Sequence, residues 1–128
     1  MAVGCAATGA SAAPYHILLP GQFPQPPTIA QCESELQIEC YGPPQFQRAY
    51  DMGALYRAGL TGAGKTIVIV DAFGSPTIAQ DLQTFDQAFN LPNPSLTIIT
   101  PDGPVNQNDP AALGWAEETT LDVEYSHA

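Results

Sequence analysis

The run Thr66-Ile67-Val68-Ile69-Val70 restricts the fold of this chain more than any other stretch. All five side chains are β-branched and none is charged, which predicts a strand buried on both faces, as in a parallel sheet. Such a strand would deliver Asp71 at its carboxyl end, where open α/β sheets place their sites. Ser75 follows as an N-cap with Pro76 at the first helical position. Ile78, Leu82, Phe85 and Phe89 then form one apolar stripe at helical spacing. Asn90, with Leu91-Pro92 behind it, ends that helix. Ser95 to Thr100 predicts a second strand, Pro101 to Pro110 a turn-rich loop, and a last helix begins near Trp115 or Ala116. Strand, helix, strand, loop, helix is the opening of a parallel α/β sheet.

Upstream, the sequence is of a different kind. Residues 1–13 are small and end near an A-x-A-like site at Ala10-Ser11-Ala12, which predicts the remnant of a secretory leader. Residues 14–39 form an arm rich in Pro and Gln. Within it, Cys32 is separated from Cys40 by seven residues. In an exported protein that spacing favours a small-loop disulfide, worth about 2–3 kcal/mol. A zinc site is less favoured, because neither His16 nor His127 stands at ligand spacing from the two thiols. Cys5 is left over, as expected if the leader is removed. From Pro44 the pattern turns helical through Phe46, Ala49, Tyr50, Leu55 and Tyr56, with Gly53 as a weak point and Gly59 as the stop.

Composition excludes several classes of partner. Three Lys and Arg residues face thirteen acids, for a formal net charge of −10. Nucleic acid and anionic membrane surfaces are therefore poor partners. A chain this acidic repels itself least at low pH, which suits a secreted protein working in acid. Hydrophobic residues make up 45% of the chain, enough for a core, and no apolar run is long enough to span a bilayer. Gly59 to Thr66, GLTGAGKT, matches the P-loop pattern in full. A phosphate loop needs a strand before it and a helix after it, and here the predicted order is reversed. It reads as a turn, with no nucleotide bound.

The last helix carries the chemistry. Glu118 and Asp122 are four residues apart, so both carboxyls leave one helical face. Two acids held together rarely ionise together, and a pair sharing one proton can work as a general base oriented by its neighbour. Glu117, Glu118, Asp122 and Glu124 stand in eight residues with no base among them, as a solvated helix face also would. Against that, like charges at this spacing cost about 0.2–0.5 kcal/mol per pair. Trp115, Leu121, Val123 and Tyr125 also surround the acids with apolar bulk.

The order GKTIVIVDAFGSPTIAQDLQTFDQAFNLP, a loop, then GWAEETTLDVEYSHA, resembles the amino-terminal part of the catalytic domain of the sedolisin family, the serine-carboxyl peptidases. The upstream CYGPPQFQRAYDMGALYRAGLTGAG resembles the family's entry helix and turn, so the similarity covers residues 40–128. The resemblance implies a subtilisin-like parallel-sheet fold, incomplete here, and peptide-bond hydrolysis at acid pH by a Ser-Glu-Asp triad. Endopeptidases and tripeptidyl-peptidases both belong to the family. In it Glu118 matches the glutamate that takes the serine's proton, and Asp122 the aspartate that orients it. Asp71 matches a position where some members keep a further acid; it reads equally as a plain strand-end Asp. The family's nucleophile lies in a G-T-S-type motif that these residues lack, and Ser126 has no glycine elbow to replace it. The resemblance implies calcium only in a carboxyl-terminal part outside these residues, so no cofactor is expected here. Substrates would be peptides or proteins, and the complete molecule a monomer. By this reading the chain is a truncated piece of a secreted peptidase, inactive alone. The alternative is a secreted acidic binding module or an inactive remnant without enzymatic activity.

Overall fold

A computed structural model describes residues 27–128. The expected leader, Cys5, and the first part of the Pro-rich arm lie outside the described residues. The chain begins with α1 (Ile29–Gln31), which runs into one wide π-helical turn, Cys32–Leu36. Thr28 caps α1 reciprocally: its hydroxyl accepts the Gln31 N–H at 3.2 Å, and the Gln31 side chain accepts the Thr28 N–H at 3.0 Å. Cys32, fully buried, forms a disulfide with Cys40 across a Cα–Cα distance of 5.9 Å. This bond ties the first turn to the segment that enters the next helix.

The sequence predicts one helix from Pro44 to Gly59, and the structure divides it into α2 (Pro43–Ala49) and α3 (Gly53–Arg57). The break falls at Asp51, which takes a left-handed backbone at φ 50°. Asp tolerates that conformation better than most residues, and Gly53 then opens α3 instead of weakening its middle. Gly42 precedes Pro43, and its N–H is taken by the Gln45 side chain at 3.1 Å. The glycine loop after α3 leads into residues 65–71 without a helix.

Helix α4 (Ile78–Phe89) forms on the apolar stripe expected of it, with Ile78, Leu82 and Phe85 buried. It starts two residues beyond Pro76. The Ser75 hydroxyl accepts the Thr77 N–H at 3.4 Å, and the Thr77 carbonyl takes the first helical bonds from Gln80 and Asp81. Asn90 ends α4 in the left-handed conformation, φ 54°. Helix α5 (Ala112–His127) starts three residues earlier than Trp115. Asp109 is the reason: its carboxylate accepts the Ala111 N–H at 2.9 Å, and Pro110 needs no partner for a missing N–H.

The parallel-sheet, subtilisin-like α/β fold expected from the sequence is not formed. The described residues contain helices and no β-strand. A strand exists only when a neighbour takes its backbone groups, and β-branched composition by itself supplies no neighbour. Among the described residues, no backbone hydrogen bond joins Thr66–Asp71 to Ser95–Thr100 or to anything else but a local turn at Thr100. The runs meant for a sheet interior are instead exposed, Val70 to 88%, Val68 to 78% and Ile99 to 77%.

What core there is lies where α4 meets α5. Ala111 and Ala112 close it from α5's start, and a ring cluster closes it from α5's end. Tyr125 packs on Phe46 with centroids 5.1 Å apart and on Phe85 at 5.3 Å, while Phe85 meets Phe89 at 4.8 Å. The Tyr125 hydroxyl donates to the Tyr41 carbonyl at 2.7 Å, and the Gln47 amide donates to the Ala128 carbonyl at 2.9 Å. These contacts fasten α2 and α5 together. Among the described residues, no helix is long and apolar enough to cross a membrane.

Candidate functional site

Helix α5 carries Glu118 and Asp122 in its middle, both half-buried, one turn apart on one side of the helix. Among the described residues no hydrogen bond joins them to each other or to Asp71. Apolar cover around the pair is partial: Trp115, Val123 and Tyr125 are half-buried, and Leu121 is exposed. The Ser126 hydroxyl donates to the Val123 carbonyl at 3.4 Å, a turn-internal bond that aims it along its own helix.

A cavity of about 1660 Å³ opens beside α5, with Asp71, Thr119, Val123 and His127 on its wall together with Ile67 and Ile98. Asp71 therefore faces this space at the end of the first β-branched run, with its Oδ2 buried and without a hydrogen-bond partner. Glu118 and Asp122 are not on that wall. The two α5 acids thus keep their one-turn spacing, and Asp71 lines the cavity wall that neither of them reaches. Among the described residues, no group of three or more His, Cys, Asp and Glu side chains is placed to hold a metal ion.

A second group of charges emerges only in three dimensions. Asp86, at 2% exposure, is among the most deeply buried side chains. His127, the last residue of α5, brings its Nε2 to 3.1 Å from Asp86 Oδ1, an ion-pair distance off the line of a hydrogen bond. One turn back, burial pushes the Glu124 carboxyl from its ordinary 4.5 up to about 7, helped by the negative charges of Asp81 and Asp86. Burial, and then the Glu124 charge, also raises Tyr125. The signal for Asp86 was present in the sequence: it stands at i+4 from Leu82 and i+8 from Ile78, an acid at the edge of the apolar stripe. Nothing local announces its partnership with a histidine forty-one residues away.

No family model, no curated protein and no solved structure matches the chain.

Proposed function

We propose that the chain carries the acid half of a secreted serine-carboxyl peptidase site, with Glu118 as the general base and Asp122 as the acid that orients it. The observation that carries this reading is the pair's setting: two half-buried carboxyls one turn apart on a single helix. The order of residues around them, GWAEETTLDVEYSHA, which resembles the sedolisin family, adds to it. A carboxyl base works best near its own pKa, so the reaction it serves is hydrolysis of peptides in acid. The attacking serine has no counterpart among these residues, and the chain by itself is inactive.

The test is direct. The coding sequence is read beyond codon 128, and an in-frame G-T-S-type serine motif is expected. In that longer product, Glu118→Gln should abolish casein cleavage at about pH 3–5, the range in which a carboxyl base operates, while helical circular dichroism is kept. Near-normal turnover by Glu118→Gln, or measurable turnover by the 128-residue chain alone, would show that the roles are wrongly assigned. A second reading, an acidic binding module, is favoured by the largely exposed runs 66–70 and 95–99, whose backbone groups are unpaired and open to an extended peptide. A stop directly after codon 128 would favour it.

A further inference from the structure

The groups where α4 meets α5 form a balance of charge. From α4 come Asp81 and the buried Asp86; from α5 come Glu124, Tyr125 and His127. Helix α2 presents the neutral Gln47 amide to the end of α5, and its Arg48 is exposed. Among the described residues, no Lys or Arg forms an ion pair with Asp81, Asp86 or Glu124, and His127 stands against Asp86. We infer that this cluster is an acid-dependent clamp, in which the His127–Asp86 contact holds α5 on α4 and Glu124 loosens it by ionising beside Asp81 and Asp86.

The physical case starts from Asp86. Its two carboxylate oxygens are buried with no hydrogen bond, so the nearby His127 ring is what offsets its desolvation. That attraction exists only while the ring is charged. Glu124 acts in the same direction. Its carboxyl in the folded chain sits near 7, above its ordinary 4.5. A raised carboxyl contributes stability fully at low pH, below the unfolded value, and loses it as pH climbs through the folded value. Glu124 therefore favours the closed interface in acid. As Glu124 ionises, it adds a negative charge beside Asp81 and Asp86.

The consequence for function rests on the peptidase reading: Glu118 and Asp122 ride on α5, so the clamp would hold the acid pair in place only where a carboxyl base works. The clamp itself does not depend on that reading, because its readout is folding. Urea unfolding of the full chain is followed by circular dichroism between about pH 4.5 and pH 8, spanning the shifted carboxyl. The midpoint is expected to fall as pH rises through that window in the wild type. In Glu124→Gln it should stay near the acid value for most of the window. In His127→Gln, which leaves the buried Asp86 without its neighbour, it should start lower in acid. A flat wild-type profile, or an undiminished fall in Glu124→Gln, overturns the clamp. Should the Glu124 variant fail to fold, carbon-13 titration of the Glu124 carboxyl in the wild type decides the matter. A midpoint near 7 supports the clamp, and one in the ordinary carboxylate range overturns it.

Discussion

Gly42 shows how little room a single residue has at the seam between α2 and α4. A Cβ built there would stand 2.8 Å from Cε1 of Phe89, whose ring is itself pinned against Phe85. Its φ of −97° suits any residue, so the constraint is space and not backbone freedom. Gly42→Ala should therefore destabilise the chain by about 1–3 kcal/mol, the usual cost of overpacking, as a lower midpoint in thermal denaturation. An unchanged midpoint would mean that Phe89 yields freely. Asp86 is the other residue whose surroundings decide its role. On a helical wheel it is one acid at the edge of an apolar stripe; in the fold it is a buried charge answered by His127. Glu118 and Asp122 differ from it in being legible locally, because the helix alone sets their spacing.

At the scale of elements, α4 is the structural anchor. Its stripe, its C-cap Asn90 and the Thr77–Asp81 hydrogen bond of 2.7 Å at its start are all encoded within fourteen residues, which is why the sequence locates it closely. Phe85 joins that helix to Tyr125 of α5 and so to Phe46 of α2. Phe85→Ala should cost about 3–5 kcal/mol, a large part of the stability of any small domain. The expected result is loss of a cooperative unfolding transition at room temperature; a cooperative transition with a slightly lower midpoint would show that the ring cluster is dispensable. The start of α5 was less legible, because Asp109 and Pro110, just before it, sit within a loop of other turn residues and nothing local singles them out. The break between α2 and α3 was not foreseen: Gly53 is the weak point of the pattern, but the chain turns at Asp51.

For the molecule as a whole, the chief consequence of the fold is what it leaves uncovered. Ile67, Val68, Val70, Ile98 and Ile99 are exposed on segments with unpaired backbone, which is the recipe for edge-to-edge association. The net charge of −10 opposes that association at neutral pH and opposes it less in acid, where carboxyls protonate. Light scattering should therefore detect growth of assemblies as pH falls, and the double variant Val68→Lys, Ile99→Lys should suppress it at equal concentration. Growth that is the same in both proteins would place the sticky surface elsewhere. By itself the sequence determined the amphipathic face of α4, its C-terminal stop, and the pairing of Glu118 with Asp122 on one helical face. Each depends on residues within a turn or two, where spacing and backbone preference suffice. Only the tertiary structure decided that the two β-branched runs form no sheet and that Asp86, Glu124 and His127 share one interface. A strand needs a partner and a buried charge needs a counter-charge, and both are supplied, or withheld, by residues far away along the chain.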